Sequence, residues 1–174
     1  MSLSMHQASI PVFVRAFGVL SRLLDKAVEH ARAHGQDPNE LLTARLAPDM
    51  FTLVGQVQRA SDTAKATAER LSGVPAPSMP DTEASFPELQ ERIAKTVAYL
   101  ESVDPARFEG SEQRTIELPL RDFKPVFRGD GYLFTFALPN FYFHVTTAYG
   151  ILRHKGVQIG KRDFLGPYTP PANT

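Results

Sequence analysis

The chain has 174 residues, enough for one domain that buries about 70% of its unfolded surface and folds without a metal or a disulfide. Its 19 Lys and Arg balance 19 Asp and Glu with no long run of one sign, which argues against an extended phosphate-binding surface and so against nucleic acid as a partner. There is no cysteine, so disulfides, thiolate nucleophiles and Cys-type zinc sites are excluded and only nitrogen and oxygen ligands remain.

The opening stretch, MSLSMHQASIPVFVRAF, has a short apolar patch but neither a basic segment ahead of it nor a small-residue cleavage site. No run approaches the roughly 20 apolar residues of a membrane span, so a soluble cytoplasmic protein with no membrane partner is expected. Ile10, Phe13, Phe17, Leu20, Leu24, Ala27 and Ala31 step by three and four, which predicts a first helix stopped by Gly35. In DPNELL, Asp37 caps a short helical turn with Pro38 in its first turn.

A second helix begins near Pro48 and carries Met50, Leu53, Val57, Ala60, Ala64, Ala68 and Leu71 at the same spacing, ending at Gly73. Its alanines allow close approach of a neighbour. The Pro-rich GVPAPSMPDTEA crosses to helix three, where Ser85 and Glu88 form a capping-box pair and Pro87 lies in the first turn. Phe86, Leu89, Ile93, Val97 and Leu100 mark its buried stripe.

From residue 114 the period changes. Ile116, Leu118 and Leu120 alternate with polar neighbours, and Tyr132, Phe134 and Phe136 alternate after the turn-forming GDG at 129–131, which predicts a small β-hairpin or a pair of extended arms. Pro139 then starts helix four, and Gly156 ends it after a basic RHK suited to a helix C-terminus. Residues 1–166 read as one all-α domain and 167–174 as an extended tail.

On helix four, Phe141, Val145, Ala148 and Leu152 gather on one side, whereas Asn140, His144, Thr147 and His154 gather on another with Ile151 among them. His144 and His154 lie about 15 Å apart along the axis and cannot share an ion. The polar stripe therefore either faces solvent, places His144 in a hydrogen bond to a neighbouring helix, or lines a cleft of the kind that holds ligands and metals in bundles.

The segments SMHQASIPVFVRAFGVLSRLLDKA, LAPDMFTLVGQVQRASDTAKATAERLSG and FALPNFYFHVTTAYGILRHKGVQIGKRDFLG together resemble a bacterial family of unknown function in the DinB/YfiT-like metalloenzyme superfamily. The resemblance spans nearly the whole chain. It implies a DinB-like up-and-down four-helix bundle, often dimeric, so a homodimer is expected, with the hairpin or extended insertion before helix four. In the superfamily a divalent metal is commonly held by a histidine of helix two and an HxxxH pair of helix four. Here those positions read Thr63, His144 and Ala148. One imidazole is too few for zinc or nickel, which need three good protein ligands, so no cofactor is expected. Gln56 and Asp62 are the remaining nearby oxygen donors, with Asp62 opposite the apolar stripe of helix two and facing water.

The basic stretch 153–163 offers Arg153, His154, Lys155, Lys161 and Arg162 to a small anionic ligand; alternatively these cations complement the helix C-terminus and one pairs with Asp163. Arg128-Gly129-Asp130 reads as a turn. Eight of the twelve Phe lie beyond residue 98, where they build core, a pocket wall or a subunit interface. Tyr142 and Tyr149 are expected beside His144. GxSxG, P-loop, HExxH and GxGxxG motifs are absent.

The sequence thus leads to a small-molecule-binding protein with a metal-free cleft around His144. Asn140, Tyr142, Thr147, Arg153, His154 and Lys161 are its candidate ligand contacts. As an enzyme it would use His144 as base or metal ligand with Tyr149, for thiol transfer or modification of a small metabolite. As a stress-related dimeric scaffold it would act through its outer surface.

Overall fold

The computed structural model describes residues 3–119 and 123–167. Helix α1, Met5–Ala33, begins where the Ser4 hydroxyl accepts the Gln7 amide at 3.1 Å while the Gln7 side chain accepts the Ser4 amide at 3.0 Å. It ends at Gly35, whose φ of 68° is the left-handed conformation that suits glycine. All seven apolar residues of its predicted stripe are buried. By length and composition α1 could cross a membrane, but Phe13, Phe17, Leu20 and Leu24 are fully enclosed by the other helices, as in a core helix.

A 3₁₀ turn, Pro38–Thr43, follows, with the Asp37 carboxylate accepting the Asn39 amide at 2.9 Å. Helix α2, Leu53–Ser72, starts later than expected because Thr52, not a residue near Pro48, supplies the cap. Met50 therefore lies outside it, whereas Leu53, Val57, Ala60, Ala64, Ala68 and Leu71 have no exposed surface. Helix α3, Phe86–Ser102, is capped by Ser85 at 3.3 Å, but the Glu88 carboxylate returns to the Ala84 amide at 2.5 Å instead of to Ser85.

The hairpin is smaller than predicted. Strands β1, Thr115–Glu117, and β2, Val126–Arg128, pair antiparallel with Ile116 opposite Phe127. Leu120 lies outside the described residues, as does the tail beyond residue 167. The second alternating run is helical: helix α4 spans residues 129–154, as a first turn Gly129–Tyr132, a π-helical segment Leu133–Ala137 and a regular stretch Leu138–His154. Tyr132 and Phe136 are neighbours one turn apart, their rings stacked 5.9 Å apart. The π turn sits just before Pro139, which has no N–H and crowds the preceding turn, and there the Leu138 amide reaches back five residues to Leu133. Pro139 thus lies inside α4 and does not begin it. Gly129 opens α4 against the hairpin: a Cβ here would stand 1.8 Å from the Ser111 carbonyl oxygen, so no other residue fits. Arg128 chelates the Asp130 carboxylate, closing the expected turn. A short helix α5, Lys161–Leu165, packs back on α1.

Each of α1 and α2 packs against both α3 and α4. Helices α1 and α4 run one way, with Phe13 and Phe17 meeting Phe141 at 4.7 and 5.2 Å between ring centres. Helices α2 and α3 run the other way, giving the order up, down, down, up. The connection 73–85 must therefore return along the whole of α2. It is tied to that helix at successive points, Lys65 to the Pro77 carbonyl, Arg59 to Asp81 and Gln58 to Glu83.

Candidate functional site

The α2–α4 seam carries a ladder of polar pairs inside an otherwise apolar interface. Gln56, Thr63 and Arg70 recur every seven residues on α2, which keeps them on one face. Opposite them stand His144, Asn140 and Tyr132. His144 Nδ1 lies 2.8 Å from Gln56 Oε1, Asn140 Nδ2 donates to Thr63 Oγ1 at 2.8 Å, and Arg70 donates to the Tyr132 hydroxyl at 2.9 Å. Thr63 passes its own proton to the Arg59 carbonyl at 2.7 Å.

Chemistry fixes the orientation of the first pair. Gln56 Nε2 donates to the Phe51 carbonyl at 3.2 Å, and a carbonyl only accepts, so the amide oxygen must face His144. Nδ1 of His144 therefore carries the proton. Burial, reinforced by the Arg59 cation, pushes the imidazole pKa down to about 4, so the ring is neutral at pH 7 and Nε2 holds an unshared lone pair. Among the described residues the one buried side-chain nitrogen or oxygen without a partner is Arg92 Nε, so His144 Nε2 is not sealed from solvent. Beside it lie Phe143 and Phe51, 54% and 56% exposed, with ring centres 5.3 and 6.4 Å from the imidazole. The result is an apolar shelf around one hydrogen-bond acceptor.

The residues here do not fit a three-ligand metal. Ala148 is buried in the core, Thr63 is engaged on both sides, Gln56 uses both ends of its amide and His144 offers a single nitrogen. Among the described residues no group of three His, Cys, Asp or Glu side chains could surround an ion.

Of the candidate contacts, only Asn140 and Thr147 share this seam with His144, and the Thr147 hydroxyl already donates to the Phe143 carbonyl at 2.7 Å. Tyr142 and Tyr149 are not beside His144. At 100° per residue they fall about 160° and 140° around the helix from it. Tyr149 instead meets Phe164 edge-on at 5.6 Å, and the Tyr142 phenol pKa is raised by burial along the α1 side. Arg153, His154 and Lys161 are exposed beyond the seam, and Asp163 pairs with Lys26 of α1 at 2.6 Å instead of with a cation of its own stretch.

A second polar cluster was not read from the sequence. Arg92 of α3 is 2% exposed, yet it meets Asp62 at 2.9 Å, Glu83 at 3.0 Å, Asp81 at 3.1 Å and the Pro80 carbonyl at 3.1 Å. Asp62 therefore does not simply face water; it also meets Arg59 at 3.0 Å and Lys65 at 3.3 Å. Burial pushes the Glu83 carboxyl up, but hydrogen bonds from Gln58 and Arg92 outweigh it and hold the pKa below the usual carboxylate value. The cluster clamps connection 73–85 over a cavity of about 510 Å³ against α3. Its only sequence signal is charge at Asp62, Arg92 and Glu83 on segments that otherwise read as core or linker.

Bundle, hairpin insertion and seam together define a DinB-like helical protein. A crystal structure of a DinB family member protein from Shewanella denitrificans matches with a TM-score of 0.89 and 40% sequence identity, over 96% of each chain. Residues 5–165 match a domain of unknown function, DUF1993, and the chain belongs to that family. No curated protein matches it.

Proposed function

We propose that this protein is a metal-free small-molecule-binding member of its family, with its ligand at the shelf around His144. The observation that carries the reading is the held imidazole: Gln56 fixes the Nδ1–H tautomer and leaves Nε2 as an acceptor on a ring that meets the exposed rings of Phe51 and Phe143 edge-on. Such a shelf suits a neutral molecule with an apolar or aromatic body and one hydroxyl or N–H donor. The nearby Arg59 cation disfavours a positively charged donor. The alternative, a metal-dependent enzyme, would need ligands that Thr63 and Ala148 do not supply.

The test is an NMR titration with p-cresol, which joins a phenolic donor to an apolar ring. The reading expects shifts confined to Phe51, Phe143, His144 and their neighbours, weakened at least tenfold by His144→Ala. Saturable shifts elsewhere, or none at millimolar p-cresol, would contradict it.

A further inference from the structure

A second groove lies on another face, independent of His144. It encloses about 580 Å³, within the range of small-molecule sites, between α1 and the segment that follows α3. Ile10, Pro11, Val14, Val103 and Pro105 supply an apolar half. Gly18 adds no side chain to the middle, so the floor stays open toward Arg22.

The other half is cationic. Arg15, Arg22 and Lys26 lie seven and eleven residues apart, on one face of α1. At Arg22 and Pro167 the groove runs into a smaller cavity of about 160 Å³, also lined by Lys26, Arg162 and Asp163. Arg15 is held by the Leu165 and Pro167 carbonyls at 2.7 and 3.1 Å, and Lys26 by Asp163. Arg22 and Arg162, by contrast, make no side-chain hydrogen bond or ion pair among the described residues. Among the described residues this end therefore presents two guanidiniums without a side-chain partner, while Glu101 lines the larger groove and Asp163, held by Lys26, the smaller. From Pro11 to Arg22 the groove follows α1 for about 16 Å.

We propose that this groove binds a single-chain anionic amphiphile, its carboxylate between Arg22 and Arg162 and its hydrocarbon chain along Pro11, Val14 and Val103. A guanidinium matches a carboxylate through two parallel N–H donors, and the apolar half removes the chain from water. Of the cations in the basic stretch 153–163, Arg162 is the one that lines this smaller cavity among the described residues, beside Asp163, whereas Arg153 and His154 face solvent at the end of α4.

Isothermal titration of the full chain with sodium decanoate below its micelle concentration tests the proposal, with decanol and inorganic phosphate as controls. Decanoate should bind one to one, decanol at least tenfold more weakly, and phosphate below detection. Arg22→Gln with Arg162→Gln should weaken decanoate at least tenfold and leave decanol unchanged. Gly18→Leu, which fills the floor without altering charge, should weaken both while the thermal transition is retained. No saturable decanoate binding, phosphate bound as well as decanoate, or decanoate binding indifferent to these variants would each overturn it.

Discussion

His144 and Gln56 form one unit, because each is the other's partner in a place water does not reach freely. Replacing either by alanine strands a buried polar group, at a cost of about 1–3 kcal/mol in denaturant unfolding. The double variant should cost clearly less than the two single losses added together. Burial of His144 beside the Arg59 cation sets a pH dependence. An unfolded histidine takes up its proton near pH 6.5, whereas the folded one resists until about 4, so the stability held above pH 6.5 is lost as pH falls through that window. The gap in melting temperature between the parent and His144→Gln should therefore narrow from pH 7 to pH 4. Gly129 is a different kind of constraint: Gly129→Ala drives a methyl into the Ser111 carbonyl and should cost about 3 kcal/mol, read as a shift in the denaturation midpoint.

Connection 73–85 carries no regular secondary structure, yet it is fastened along α2 and α3 by Lys65, Arg59, Gln58 and Arg92, with the Tyr99 hydroxyl donating to the Val74 carbonyl at 2.9 Å. Arg92 is the centre of this clamp. Arg92→Met leaves Asp62, Asp81 and Glu83 facing one another without their shared cation and should cost about 3 kcal/mol; limited proteolysis should then cut first within 74–84. The stripes of α1 and α2 could be read in advance because apolar periodicity reports directly which face is buried. The second strand could not. Tyr132, Phe134 and Phe136 alternate as a strand would, but burial of Tyr132 and its stacking on Phe136 belong to a helix widened by a π turn ahead of Pro139. Likewise the seam partner of His144 was only one of two nearby oxygen donors in the sequence, since pairing across helices depends on register that spacing within one helix does not contain.

At the scale of the molecule, a parallel α2–α3 pair demands a long return connection, and a bundle closed by that connection leaves its polar seam on the α2–α4 side. Family membership and fold follow from the match over residues 5–165 and the solved DinB relative. Within the seam, a histidine kept neutral by burial and the Arg59 cation, with its tautomer fixed by the Gln56 amide, has one nitrogen to offer, and its neighbours are already engaged with one another. The most direct measurement is a long-range ¹H–¹⁵N correlation spectrum of the histidine side chains, recorded at pH 7 before and after an equivalent of Zn²⁺. The account predicts that His144 appears as the Nδ1–H tautomer and that its two nitrogen resonances stay where they are when zinc is added. An Nε2–H tautomer, or movement of the His144 resonances on addition of zinc, would contradict it.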